Sequence, residues 1–315
     1  MPRYSIIIPH FNSLDSLKVL LDSIPISDDI QVIVVDDNST VRVDELHEYM
    51  ASQGRVVFFV NDTGVQSAGA CRNIGLSHAT GKWVLFADAD DWFIKGFVDV
   101  IDRYFDSEVD VIYFTIESIN LVDSHEKDRH LHNQTLINEY QKEPSNKNKL
   151  RLLYRLTSPV SKMINREYLE THNIGFEPTI VANDTMFSTK ASYHLSSFKT
   201  EATPIYMATR RAGTLTSFVD AERFRVRRDV FIRRCNFLRD KLSPKDYGLL
   251  GLSGHGHLLR IQWEGLGLKL FVETFKLFRV NKIKTNWPRY FNPYSVAKRQ
   301  IKIWYWKVKT GEREG

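Results

Sequence analysis

Residues 82–91 read KWVLFADADD, an apolar run from Trp83 to Ala87 followed at once by three carboxylates in four positions, Asp88, Asp90 and Asp91. A short continuous apolar run fits a strand buried on both faces. Carboxylates packed this closely repel one another, so some are driven toward protonation unless a cation is at hand. The stretch therefore asks for a metal ion, a shared proton or open water at the end of a buried strand.

Outward from this strand the first hundred residues alternate in a regular way. YSIIIP (4–9) is a short β-branched run bounded by Pro9, and SLDSLKVLLDSI (13–24) places Leu14, Leu17, Leu21 and Ile24 on one helical face, with Asn12 or Ser13 as its cap. IQVIVVDD (30–37) is a second apolar strand, VDELHEYMAS (43–52) a helix and RVVFFV (55–60) a third strand. VQSAGACRNIGLSHAT (65–80) is a small-residue helix stopped by Gly81. After the Trp83 strand, FVDVIDRYF (97–105) is helical and VDVIYFTI (109–116) is a fifth strand. Strands alternating with helices of this length predict an α/β fold, a mainly parallel sheet with helices on both faces. Residues 117–148 are polar and lack periodic apolar positions, which reads as an excursion or flexible insert. From Ala221 onward the chain reads as mostly helical and basic.

At 315 residues, 43% hydrophobic and 26% charged, the chain has the balance of a soluble globular protein. The apolar run at the N-terminus stops at Pro9 and His10, too short for a signal-peptide core, and no window approaches the roughly 18 to 20 apolar residues that cross a bilayer. Cys71 and Cys235 lie far apart, in neither metal-ligand spacing nor a disulfide framework. A cytoplasmic protein is the simplest reading. The net charge of +5 is unevenly spread: residues 222–241 hold Arg223, Arg225, Arg227, Arg228, Arg233, Arg234, Arg239 and Lys241 against three acids. The segment from Lys269 onward is basic again, with Trp287, Trp304, Tyr305 and Trp306 interleaved. Such stretches suit an anionic membrane surface or a solvated helical domain. No zinc-finger, RNA-recognition or helix-turn-helix signature accompanies them, which argues against nucleic acid.

In open parallel sheets, ligands bind beyond the carboxyl ends of the strands. Two strands end in acids at that edge, VIVVDDNST (32–40) and VLFADADD (84–91). Asp37-Asn38-Ser39 taken alone reads equally well as a turn or cap, but two acidic strand ends on one sheet make a shared ligand the better account. Extended alternation would send Asp88 and Asp90 to the same side, where two hard oxygen ligands suit Mg²⁺ or Mn²⁺ completed by water and substrate phosphates. No glycine-rich phosphate loop is present.

The order SIIIPHFN (5–12), VIVVDDNST (32–40), GACRNIGL (69–76) and VLFADADD (84–91) resembles the inverting family 2 glycosyltransferases with the GT-A fold, and FADADD is then their DXD motif. The resemblance is specific across residues 4–92 and looser to about 217, where VSKMINREYLETHNIGFEPTIVANDTMF (160–187) and IYMATRRAGTLTS (205–217) are similar to the family's later motifs. It implies a GT-A domain over 1–217, with a nucleotide-binding half to about residue 92 and an acceptor half over 93–217, followed by a basic, mostly helical region over 218–315. Pro9 and Phe11 would line the nucleotide base, Asp37 would accept from the base N–H, and Ser67 would lie in the loop over the nucleotide, with Arg72 and Asn73 on the helix behind. Asp88 would contact the ribose or the metal's water shell, Asp90 would bind Mn²⁺ or Mg²⁺, and Asp184 would be the general base. The family usually carries Glu-Asp at that last motif, and this chain has Asn183-Asp184.

The implied activity is metal-dependent, inverting transfer of a hexosyl or N-acetylhexosaminyl group from a nucleoside-diphosphate sugar, UDP by resemblance, to a glycan or lipid-linked glycan. The setting would be the cytoplasmic face of a membrane in polysaccharide or glycoconjugate assembly. Lys162, Arg210 and Arg211 are candidate contacts to phosphate or acceptor, against the plainer reading of solvated surface cations. His10 reads as a strand-end residue, and Asp91 as the cap of a helix beginning near Phe93. Two competing readings are an aspartate-nucleophile phosphatase, whose motif normally lies in the first strand, and a non-catalytic descendant that binds sugar nucleotide or membrane. A nucleotidyltransferase would want a glycine-rich, basic loop after the first strand, where this chain has PHFNSLDS (9–16).

Overall fold

The computed structural model describes residues 1–120, 129–210 and 220–285. The chain divides into two compact units, Met1–Phe218 and Val219–Gly315. In the first, the elements run β1 (Tyr4–His10), α1 (Leu14–Asp22), β2 (Ile30–Asp36), α2 (Val43–Ser52), β3 (Val56–Val60), α3 (Ala68–His78), β4 (Trp83–Phe86), β5 (Trp92–Phe93) and α4 (Phe97–Asp102). They continue through β6 (Val111–Asn120), α5 (Arg129–Lys142), α6 (Asn146–Arg155), β7 (Lys162–Asn165), α7 (Arg166–Thr171), α8 (Asn183–Tyr193) and β8 (Phe198–Arg210).

The eight strands form one sheet in the order β3-β2-β1-β4-β7-β6-β8-β5. The first four are parallel, so the carboxyl ends of β1, β2, β3 and β4 share one edge. β7 runs antiparallel to both its neighbours, which makes the sheet mixed beyond β4. Alternation along β1 serves two layers, as strand geometry requires. Tyr4, Ile6 and Ile8 join the core that also takes Leu14, Leu17 and Leu21 of α1 and Leu46 of α2. Ile7 points the other way, against Gly75 of α3, where any side chain would meet its Cγ2 at 2.3 Å. Helices therefore cover both faces.

The polar stretch over 117–148 is not an excursion. Its described part completes β6, forms all of α5 and opens α6. The helix escaped pattern reading because the core-facing position one turn before Leu136 and Ile137 is Asn133, a polar residue that is itself buried. Its Oδ1 accepts from the Ile116 N–H at 3.2 Å, and its Nδ2 donates to the Phe114 carbonyl at 3.4 Å. These bonds fall at the register shift between Phe114 and Ile116, where the β6–β8 ladder is interrupted. A side chain thus satisfies backbone groups that the sheet leaves unpaired.

The second unit contains α9 (Ala221–Lys241), α10 (Pro244–Leu250), α11 (His255–Trp263) and α12 (Leu268–Val280). Asp220 caps α9 by accepting from the Arg223 N–H at 2.7 Å. Phe224, Ile232, Cys235, Leu258, Ile261, Leu270 and Phe278 form its core. The sole fully charged member of α9 to be buried among the described residues, Arg228, is held by Glu273 at 2.6 Å and Asp229 at 2.8 Å. Trp287, Trp304, Tyr305 and Trp306, which the sequence offers to a membrane, lie outside the described residues.

Removing the Asn133 amide leaves the Ile116 N–H buried without its acceptor. Asn133→Ala is expected to cost about 1–3 kcal/mol, read as a lowered midpoint in denaturant unfolding, while a variant as stable as the parent would remove Asn133 as the ladder's substitute partner.

Candidate active site

At the carboxyl edge of the parallel strands, β1 ends in His10 and β2 in Asp36, and the two side chains pair, Nδ1 to Oδ1 at 2.8 Å, both buried. His10 Nε2 accepts from the Ser13 N–H at 3.2 Å, so the ring proton belongs on Nδ1 and is donated to Asp36. Ser39 donates to the same carboxylate at 2.6 Å, and hydrogen bonds from His10 and Ser39 hold Asp36 below the usual carboxylate range against the opposing effect of burial. His10 is thus a strand-end residue, as the sequence suggested, with the added work of tying the loops after β1 and β2 together.

Asp37 is buried behind this network. Its Oδ1 accepts from Asn61 Nδ2 at 2.6 Å and from the Ser67 N–H at 3.1 Å. Ser67 is buried too: it caps α3 by accepting from the Gly69 N–H at 3.1 Å, and its hydroxyl donates to the Thr179 carbonyl at 2.8 Å. Of the base-lining candidates, Pro9 is buried within β1, whereas Phe11 stands 43% exposed just beyond it.

The acids at the end of β4 take a geometry that extended alternation did not foresee. Residues 88–91 form a turn, closed by the Asp91 N–H donating to the Asp88 carbonyl at 3.0 Å. Asp91 caps no helix, since α4 starts at Phe97 behind Gly96. It is buried and accepts from the Thr209 N–H at 2.6 Å. Thr209 also donates through its hydroxyl to the Asp90 carbonyl at 2.7 Å. The Tyr206 hydroxyl accepts from the Asp88 N–H at 2.8 Å and bonds the Asp91 carboxyl. The whole turn therefore rests on β8. Burial, then the charges of Asp88 and Asp90, push the Asp91 carboxyl up to about 8.

Arg72, on α3, joins this turn to the start of α8. One guanidinium nitrogen donates to Asp88 at 2.6 Å and another to Asn183 Oδ1 at 2.9 Å. Asn73 clamps the backbone of Phe176 from both sides, accepting from its N–H at 2.8 Å and donating to its carbonyl at 2.9 Å. A Cβ on Gly69 would lie 2.5 Å from the Glu177 carbonyl oxygen and 2.8 Å from Asn183 Cβ, so a residue without a side chain lets α3 come this close. Asp184, in the first turn of α8, is half-buried. Burial raises its carboxyl above the usual range; Arg72 and Lys162 pull it down and Asp88 pushes it up.

Lys162 is no solvated cation. It is buried, with its ammonium donating to the Leu156 carbonyl at 2.7 Å and to Ser188 Oγ at 3.2 Å, and burial pushes it down to about 7 against the pull of Asp184. The sequence offered it as a candidate phosphate or acceptor contact beside the plainer reading of a solvated cation, and an isolated lysine carries no periodic signal of such burial. Arg210 closes β8, and its side chain, like the whole of Arg211, lies outside the described residues. Tyr206, Thr209, Asp36 and Asn61 were not singled out from sequence; only their places near the ends of β8, β2 and β3 could have pointed to them.

The donor set fits Mg²⁺ or Mn²⁺. Asp88 and Asp90 offer hard carboxylate oxygens, partly exposed at a strand end, beside a third carboxyl whose repulsion from them a cation would offset. Among the described residues no three His, Cys, Asp or Glu side chains form a closed metal cage. An ion here would take its remaining ligands from water and phosphate.

Residues 5–172 match the family model of Glycosyl transferase family 2. Among curated proteins, the chain is 33% identical over 99 residues to the GalNAc(5)-diNAcBac-PP-undecaprenol beta-1,3-glucosyltransferase of Campylobacter jejuni, covering 30% of this chain and 32% of that one. It is 29% identical over 125 residues to the poly(ribitol-phosphate) beta-N-acetylglucosaminyltransferase TarS of Staphylococcus aureus, 38% of this chain and 22% of TarS. The chain thus spans about a third or less of the length of these relatives. In fold it matches S. aureus TarS 1-349 in complex with UDP-GlcNAc, with a TM-score of 0.64 at 21% identity, over 87% of this chain and 79% of that one. A mannosyltransferase from Pyrobaculum calidifontis in complex with GDP-Man and Mn²⁺ matches with a TM-score of 0.56 at 16% identity, over 100% and 88%. The fold is that of the GT-A glycosyltransferases.

The buried Lys162 gives a pH signature. Its folded-state pKa, about 7, lies below the ordinary value of 10.5. The unfolded chain therefore binds this proton more tightly, protonation opposes folding, and stability rises as pH climbs from about 7 to 10.5. Lys162→Met is expected to remove that rise in denaturant unfolding followed across pH; an unchanged slope would show that the ammonium is not desolvated.

Proposed function

The chain belongs to glycosyl transferase family 2, and on that footing we propose that it transfers a hexosyl or N-acetylhexosaminyl group from a nucleoside-diphosphate sugar to a hydroxyl of a glycan or lipid-linked glycan. The observation that supports the proposal is the Arg72 bridge, which ties Asn183, the neighbour of Asp184 in α8, to Asp88 of the acidic turn, and so brings the candidate base near the candidate diphosphate site. The nucleotide base would lie over Phe11 at the ends of β1 and β2, with Asp37 held by Asn61 and Ser67 to accept from its N–H. UDP is the favoured nucleotide: TarS has been crystallised with UDP-GlcNAc and with UDP.

Asp88 and Asp90 would hold Mn²⁺ or Mg²⁺, which when bound stabilises the leaving diphosphate as a Lewis acid. The chain's own residues do the rest. Asp184 takes the proton of the acceptor hydroxyl as its oxygen bonds to the anomeric carbon and the bond from that carbon to the diphosphate oxygen breaks, inverting the centre. A carboxyl raised by burial is better matched to this task near neutral pH than a solvated one. Arg72, and after it Lys162, oppose the effect of burial on Asp184. The relatives' acceptors, a lipid-pyrophosphate-linked glycan and a poly(ribitol-phosphate), suggest an acceptor presented at or near an anionic surface.

Calorimetric titration of UDP, with and without Mn²⁺, tests the donor site. Binding should need the metal and be lost in Asp90→Ala; metal-independent binding, or none with UDP, GDP or dTDP, would remove the acidic turn as the diphosphate site. Asp184→Asn should keep UDP binding and lose transfer by about 10²–10⁴-fold, and normal transfer by this variant would remove Asp184 as the base.

A further inference from the structure

The two units differ sharply in charge. Met1–Phe218 holds 21 Lys and Arg against 29 Asp and Glu, whereas Val219–Gly315 holds 22 against 9. The positive net charge of the chain therefore belongs to the second unit alone, and α12 shows how that charge is displayed.

Leu270, Thr274 and Phe278 lie on the buried side of α12, at the spacing of one helical face. On the outer side stand Leu268, 77% exposed, Val272, 42% exposed, and Val280, 79% exposed. Lys269, Lys276 and Arg279 are exposed among them. At about 100° per residue these six fall within one 120° arc of the helix. No acid falls in that arc. Glu273 lies at its border and is committed to Arg228 at 2.6 Å. Trp263, 48% exposed, ends α11, five positions before α12 begins, with Glu264 drawn onto Arg260 at 3.4 Å. Solvated helix faces carry charges of both signs and few bare aliphatics, and this face carries three aliphatics, three cations and no anion.

We propose that the outer face of α12, with Trp263, is a peripheral docking surface for an anionic lipid bilayer. Lysine and arginine reach the phosphates while the aliphatics and the indole settle at the headgroup and acyl boundary, the arrangement of a helix lying in the plane of an interface. Charge complementarity selects this occupant: the face is too cationic to bury against a second copy of itself and too apolar for water alone. No helix among the described residues is long and apolar enough to cross a membrane. It gives the proposed transfer to a lipid-linked or surface polymer a place to occur and rests on that reading only for this purpose.

The test is cosedimentation of the full chain with vesicles of phosphatidylcholine alone and of equimolar phosphatidylcholine and phosphatidylglycerol, at low and high salt. Binding is expected with the anionic vesicles only and should weaken with salt. The triple change Lys269→Glu, Lys276→Glu and Arg279→Glu should lower the partition coefficient roughly a hundredfold or more, at about fivefold for each cation removed, and Leu268→Asp with Val272→Asp should lower it without a change in net basicity elsewhere. UDP titration of each variant reports the first unit independently, so loss of vesicle binding with UDP binding intact supports the surface and leaves the donor site standing. The proposal is overturned if the parent stays in the supernatant, if it binds both vesicle types equally, if the variants cosediment like the parent, or if the parent self-associates through this face instead.

Discussion

The fork that Arg72 makes between Asp88 and Asn183 is the contact on which the active-site half of the molecule depends. It is a nearly buried guanidinium, 7% exposed, and it binds two segments far apart in sequence. A fully buried pair that loses one partner costs roughly 3–5 kcal/mol; Asp88 is 38% exposed, so the loss here would be smaller. Its greater effect is geometric. Arginine offers several donors in a fixed plane, so the end of β4 and the first turn of α8 are held at one spacing, and α3 must come close enough to reach both. Gly69 permits that approach.

Around this fork the charges do not balance. Asp88, Asp90, Asp91 and Asp184 are carboxyls; Arg72 and Lys162 are the two cations that bear on Asp184. Burial raises the Asp91 carboxyl to about 8, and the charges of Asp88 and Asp90 add to that shift. A turn carrying so much like charge would spread if it were free. It is kept closed by Thr209 and Tyr206, whose hydroxyls and backbone grip Asp88, Asp90 and Asp91 from β8. The sheet therefore stores an arrangement of negative charge that a diphosphate-bound cation would complete.

Much of this could be read from sequence because continuous apolar runs and 3.6-residue spacing persist where packing is simple. β1 to β4 and α1 to α4 obey them, and Leu14, Leu17, Leu21 and Ile24 are all buried as their spacing implied. The pattern failed where a polar group does structural work. Asn133 sits in the core of α5 because β6 needed a hydrogen-bond partner, and Lys162 is inside because Leu156 and Ser188 receive it. The acidic turn failed for another reason: alternation assumes a strand, and the chain bends where Asp91 finds Thr209, a partner more than a hundred residues on. Local sequence holds no trace of such a partner.

Asn183 shows how a single residue tunes the neighbouring carboxyl of Asp184. A carboxylate at this position would take Arg72 as its own partner and stand beside Asp184 as a further negative charge, and both effects would raise Asp184. The amide accepts the same hydrogen bond at 2.9 Å without the charge. Arg72 thus keeps its full charge for Asp88 and for Asp184, on which it is the strongest influence pulling the carboxyl down. The first turn of α8 adds the favourable end of the helix dipole. Burial and the Asp88 charge work against these. Burial is the largest of these influences and leaves Asp184 raised overall, and under the proposed function a carboxyl raised in this way would be the better base near neutral pH.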